Sequence, residues 1–179
     1  MSKTVKPKCE ICGTPLKCPE CKKAKKVKTR ATAAGNYSRT RKGIRPDLHP
    51  TYMFKSATEA NFARLLRYFN LDWRYEERAF TFDGYRTRPH VYIMDFEVKD
   101  GNRMFPVGFY EVKGYMNSQS RQKLRRFKKH YPTEAGNTTL IIYNHNNKAD
   151  IEFCTKLGYK MMFYDELLKA YSRDVLGWE

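Results

Sequence analysis

Three side chains in the middle of the chain have the types and spacing of a divalent-cation site. Asp95 stands in the run Tyr92-Ile-Met-Asp-Phe-Glu-Val98, whose other residues suit a buried, pleated surface. Glu111 and Lys113 stand in Phe109-Tyr-Glu-Val-Lys-Gly114, where alternation puts both on one face of a strand, about 7 Å apart along it. Asp100-Gly101-Asn102 between the runs is a turn signal that folds the two strands back on each other. An Asp and a Glu-x-Lys on paired strands make a cation-binding corner with a charged helper, the chemistry of a metal-dependent nuclease.

A third carboxylate can join them. Ser56-Ala-Thr-Glu59 opens a helix in which Phe62, Leu65, Leu66 and Phe69 recur at helical spacing, and Glu59 shares their core-facing side. Ser-x-x-Glu is equally a capping box, in which Glu59 serves only its own helix terminus. On helix logic alone the cap comes first; the acidic pair on the later strands favours a third ligand.

The cysteines carry a second chemistry. Four of the five fall within thirteen residues, as Cys9-Glu-Ile-Cys12 and Cys18-Pro-Glu-Cys21. Two such knuckles can surround one tetrahedral Zn²⁺ with every position filled, a structural rather than catalytic arrangement. A redox C-x-x-C needs a strand and helix around it, and nothing before Cys9 can form them.

The formal net charge is +16, and it is unevenly spread. Residues 1–30 hold ten Lys/Arg against two Glu, residues 31–55 five against one, and the other 124 residues twenty against sixteen. A basic front half on a near-balanced domain points to a polyanion, most simply nucleic acid, with a solubilising tail or a general RNA affinity as the alternative. Arg39, Arg41, Lys42 and Arg45 form a basic arm. Arg121, Lys123, Arg125, Arg126, Lys128 and Lys129 line a helix from about Gln119 to His130 whose buried side is Leu124 and Phe127. Hydrophobic content of 41% and aromatic content of 15% suffice for a packed core. No run approaches the ~18 apolar residues of a membrane span, and no signal peptide stands at the start, so a soluble, cytoplasmic protein is expected, without membrane or small-molecule cofactor.

These features divide the chain into a four-cysteine zinc module with a basic tail (1–30), a basic linker (31–55) and an α/β domain (56–179). In the last, Trp73 to Phe82 reads as one long strand and Asp83-Gly84 as a turn. Thr138 to Tyr143 reads as a central strand, Ala149 to Leu157 as a helix closed by Gly158, and Lys160 to Tyr164 as a last strand before a terminal helix. Cys154 reads as a small buried hydrophobe.

Helix, three strands, helix, strand, helix, strand is the order of the PD-(D/E)xK nuclease superfamily. From Phe54 to about Tyr164 the chain resembles its phage endonuclease I family of Holliday-junction resolvases. Phe54-Lys-Ser-Ala-Thr-Glu59, Arg74-Tyr-Glu-Glu77, Asp95-Phe96, Glu111-Val-Lys113-Gly114, His130-Tyr-Pro132 and Glu152-Phe-Cys-Thr-Lys-Leu-Gly158 carry the likeness, while Met94 stands where proline is usual. The resemblance implies a restriction-endonuclease-like core, a mixed sheet flanked by helices, here preceded by a small zinc ribbon. It implies catalytic Glu59, Asp95, Glu111 and Lys113, with one or two Mg²⁺ (or Mn²⁺) on the carboxylates and the Val112 carbonyl. It further implies 5′-phosphate products, a homodimer and, for a viral protein, the host cytoplasm. Rival expectations are a nicking or sequence- or end-specific endonuclease, and a non-catalytic zinc-containing DNA-binding protein.

Overall fold

The computed structural model describes residues 41–179, so Cys9, Cys12, Cys18, Cys21, the lysine run after them and Arg39 lie outside the described residues. The elements are β1 (Gly43–Arg45), β2 (His49–Phe54), α1 (Ala57–Tyr68), β3 (Asp72–Tyr75), β4 (Ala79–Thr81), β5 (Val91–Ile93), β6 (Phe96–Asp100), β7 (Gly108–Lys113), α2 (Ser118–His130), α3 (Pro132–Gly136), β8 (Thr138–Ile142), α4 (Lys148–Lys156), β9 (Lys160–Phe163) and α5 (Tyr164–Tyr171). No helix among the described residues is long and apolar enough to cross a membrane.

The β-branched run of β8 is almost wholly buried, which suits the interior of a sheet covered on both sides. Five strands pair in the order β3-β6-β7-β8-β9. The pairs β3–β6 and β6–β7 are antiparallel. The pairs β7–β8 and β8–β9 are parallel, so their connections must cross over, and α2, α3 and α4 make those crossovers. The chain is therefore α/β, a mixed five-stranded sheet flanked by helices. Strand alternation sends Leu140 and Ile142 into one core with Leu124, Phe127 and Met94, and Ile141 into another with Phe62, Leu66 and Phe96. Cys154 lies in the first of these cores, and burial pushes its thiol up to about 11, as fits a packed hydrophobe.

The long strand expected from Trp73 to Phe82 and the short one expected from Tyr92 to Val98 are both broken, and at the same place. The run from Trp73 divides into β3 and β4 around Glu76, a non-glycine residue at φ +53°. The run from Tyr92 divides into β5 and β6 at Met94 and Asp95. Two bonds stitch the gap: Glu76 N–H donates to Asp95 O at 3.0 Å and Met94 N–H to Arg78 O at 2.9 Å. Beyond it β4 and β5 pair only with each other, and Asp95 is left at the end of the interior strand β6. Periodicity runs unbroken through both segments, so hydropathy alone carries no sign of this bend.

The link from β6 to β7 is longer than a two-residue turn, with Asn102 Oδ1 accepting the N–H groups of Met104 (2.9 Å) and Phe105 (2.7 Å). Gly101 is required by close approach, because a Cβ there would lie 2.3 Å from Val107 N and 2.7 Å from Phe105 O.

The basic linker also needs correction. Residues 43–54 form the β1–β2 hairpin, in one compact unit with the α/β domain, and Pro132–Gly136 form a short helix that the sequence reading omits. The hairpin helps to enclose α1, whose residues Glu59 to Leu66 are all buried. Burial on that scale obliges the polar residues of α1 to find partners. Arg64, 4% exposed, donates to both oxygens of Asp47 (2.8 and 3.0 Å) and to Glu179 Oε1 (3.0 Å). Asn61 Nδ2 donates to the Tyr164 hydroxyl at 2.9 Å and to Glu179 O at 2.6 Å.

Two outcomes follow from these contacts. Gly101→Ala loses about 1–3 kcal/mol or more of stability through the clash with the 105–107 backbone, measurable as a lowered urea midpoint. The bond from Arg64 holds the Asp47 carboxyl below its ordinary value, and the bond from Arg45 does the same for Glu179. A depressed carboxylate stabilises the fold above its unfolded pKa, and that stability is lost as pH falls through the folded one. The melting temperature therefore drops on acidification below about pH 4, and the drop is shallower in Arg64→Met; parallel curves for the two proteins would exclude this network as the cause.

Candidate active site

The β6–β7 ladder ends at the pair Phe96–Tyr110. One step further, Asp95 and Glu111 face each other across the gap and lock reciprocally onto the opposite strand. Asp95 N–H donates to Glu111 Oε2 at 3.1 Å, and Val112 N–H donates to Asp95 Oδ2 at 2.8 Å. Both carboxylates are buried, at 7% and 3% exposure. The Lys113 ammonium pairs with Glu111 Oε1. The structure thus brings Asp95, Glu111 and Lys113 together, with Val112 supplying an N–H to the same corner.

Electrostatics follow from this packing. Burial, and then the negative charge of Glu111, hold the Asp95 carboxyl well above its ordinary value, while Lys113 and the Val112 N–H act in the other direction. Burial by itself would depress Lys113, but Glu111 and Asp95 outweigh it and keep the ammonium protonated. Two close carboxylates with one cation are short of positive charge, so a second cation is favoured.

Ser56 caps the helix, and Glu59 is bonded into that terminus and also stands near the corner. Its N–H donates to Ser56 Oγ at 3.1 Å, and Ser56 Oγ donates back to Glu59 Oε1 at 2.9 Å. Its Oε2 accepts from Lys55 N–H at 2.9 Å and from the Tyr75 hydroxyl at 2.5 Å. No hydrogen bond joins Glu59 to Asp95 or Lys113, yet its charge contributes to the rise of both. To bind a cation directly, Glu59 would have to exchange one of these bonds.

Among the described residues, no three His, Cys, Asp or Glu side chains are gathered closely enough to cage a metal ion. Mg²⁺ does not require a cage: it takes hard oxygens, keeps several waters and is commonly held by one or two carboxylates with substrate phosphate. Asp95 Oδ1 has no hydrogen-bond partner among the described residues, and the pair with Glu111 fits that requirement.

The basic residues separate into two groups. Arg126, 5% exposed, donates to Thr87 O at 2.9 Å and to Pro89 O, with its guanidinium 3.8 Å from the centre of the Tyr85 ring. Arg121 binds buried Asp150 at 2.6 Å, and Arg45 is tied to Glu179 and to Arg41 O. These three, expected on DNA, are engaged within the fold; a count of cations does not distinguish a solvated guanidinium from a pinned one. Arg41, Lys42, Lys123, Arg125, Lys128 and Lys129 make no ion pair among the described residues and can meet phosphates. Sequence reasoning missed Lys55, whose ammonium pairs with Glu76 and also feels Asp95 and Glu59. It missed Tyr75 as the clamp on Glu59 too, although Arg74-Tyr-Glu-Glu77 contains it.

Tyr75→Phe removes a donor from buried Glu59. It is expected to cost about 1–3 kcal/mol in urea unfolding, because a charged oxygen loses its shortest partner. A neutral result would mean that Glu59 re-pairs within the corner. Compared with known proteins, the chain matches no family model, no curated protein and no solved structure, so its likeness to others rests on the motifs alone.

Proposed function

We propose that the chain is a metal-dependent endonuclease of the PD-(D/E)xK type, with a restriction-endonuclease-like core, that cuts branched DNA such as a four-way junction. One observation carries this reading. Asp95 and Glu111 are buried side by side where two strands part, and the Lys113 ammonium lies on Glu111. A corner so acidic on a protein of net charge +16 suits a cation and a polyanion meeting at one point.

In this reading Asp95 and Glu111 hold Mg²⁺ or Mn²⁺, and Glu59 joins them on exchanging the Tyr75 or Lys55 bond. The ion, when bound, supplies polarisation of the phosphoryl oxygen and a bound water of lowered pKa. Lys113 stays protonated in its acidic setting and turns its ammonium to the charge that builds on the phosphate. Arg41, Lys42, Lys123, Arg125, Lys128 and Lys129 provide a grip on the backbone that is blind to sequence. Selectivity for branched DNA, a homodimer and a structural Zn²⁺ on Cys9, Cys12, Cys18 and Cys21 belong to the same proposal. They are supported by the motif resemblance and by the spacing of the knuckles.

The test compares a four-way junction with a matched linear duplex, in Mg²⁺ and in EDTA. The wild type cuts the junction in Mg²⁺ only. Glu111→Ala and Lys113→Ala each slow cleavage by about 10²-fold or more while junction affinity stays within a few fold. Equal cutting of the linear duplex would favour a nicking or sequence-directed enzyme. Tight binding without any cutting would leave a DNA-binding protein.

A further inference from the structure

Tyr92 lies three residues before Asp95 and is 1% exposed, its ring edge-on to Phe127 with centroids 5.2 Å apart. Two ammonium groups share that ring: Lys113 Nζ is 5.8 Å and Lys123 Nζ 5.9 Å from its centroid. The phenol oxygen is buried and has no hydrogen-bond partner among the described residues. A buried hydroxyl left unpaired gives up the water it had in the unfolded chain, and phenylalanine would fill the same space without that cost. The Lys113 ammonium over this ring is the one that pairs with Glu111 Oε1, so Tyr92 borders the acidic corner. Burial raises its pKa, and among the surrounding charges Glu111 acts on it most and Asp95 next. Glu111 comes close without completing a well-formed hydrogen bond.

The reason lies in how Glu111 is already engaged. Its Oε2 is fixed by Asp95 N–H, and its Oε1 depends on Lys113, a flexible side chain that the proposed reaction draws toward phosphate. When the ammonium turns away, Oε1 loses the hydrogen bond that orients it, and a buried carboxylate oxygen without a donor is costly and free to rotate even where the other lone pair faces a cation. We propose that Tyr92 is a positioning residue that takes over from Lys113: its O–H donates to Glu111 Oε1 once the ammonium turns to the substrate, which keeps the carboxylate aligned. The reaction half of this inference rests on the nuclease reading. The exchange of donors at Glu111 does not, and it is read from the protein alone.

Four full-length proteins decide it by thermal melting in metal-free buffer: wild type, Tyr92→Phe, Lys113→Met and the double variant. Methionine keeps the packing of the lysine stem while removing its ammonium. Tyr92→Phe alone melts at or above the wild type, because the lost hydroxyl had no partner. In the Lys113→Met background the same change lowers the melting temperature, because there Tyr92 already serves Glu111. Equal lowering in both backgrounds would make the hydroxyl structural, and no lowering in either would remove the exchange; each result overturns the proposal. With Mg²⁺, Tyr92→Phe slows single-turnover junction cleavage about tenfold or more at unchanged junction affinity, the loss of one hydrogen bond to a charged group. An unchanged rate also overturns it. A wild type that does not cut DNA defeats the nuclease reading instead, and the melting comparison then decides the donor exchange by itself.

Discussion

At the end of the β6–β7 ladder the next two N–H groups, on Asp95 and Val112, are taken by the carboxylates of Glu111 and Asp95. Side chains there do what main-chain carbonyls do along the rest of the sheet. Each carboxylate gains a fixed donor in a place where water is scarce, and neither strand can slide without breaking both bonds. The cost is two acidic groups held close together under cover, relieved in part by Lys113 and felt most by Asp95. Such an arrangement stores a demand for positive charge, which is the property a cation site needs.

The rest of the fold holds this lock in position from both sides. On one face α1 is buried around its circumference, so that Asn61 and Arg64 bond inward to Tyr164, Asp47 and Glu179 instead of to water. That enclosure fixes the N-terminus of α1, and with it Glu59, against Tyr75 and Lys55. On the other face α2 spends Arg126 and Arg121 on Thr87, Pro89 and Asp150, which docks the helix beside the corner. The cations left over on α2, Lys123 and Arg125 among them, are then carried on a fixed platform.

Much of this was legible in the residues. The Glu-x-Lys spacing on β7, Ser56 as a cap, the buried run of β8 and Gly158 as the stop of α4 are each local signals that the structure matches, although β8 is an interior strand and β7 the central one. What escaped depends on distant partners. Nothing in Trp73 to Phe82 announces a break at Glu76, because the residue that makes the break tolerable is Asp95, whose carbonyl receives the Glu76 N–H. Arg126 reads as a surface charge until the carbonyls of Thr87 and Pro89 are placed beside it. Glu59 is ambiguous in the sequence for a physical reason and remains double in character: Ser56, Lys55 and Tyr75 tie its oxygens to the start of α1 while its charge reaches the acidic pair.

The break shared by the two long ribbons has one more outcome. In a continuous hairpin, a residue inserted near the tip shifts the pairing of everything below it and turns each inward side chain outward. Here the pairing changes register at Glu76–Arg78 and Met94–Asp95, where only two bonds bridge the gap, so β4, β5 and the 82–90 connection form a separately registered finger. Lengthening that finger changes what the protein can reach while Asp95 keeps its alignment with Glu111. New surface contacts can thus arise by drift at the tip without disturbing the acidic pair.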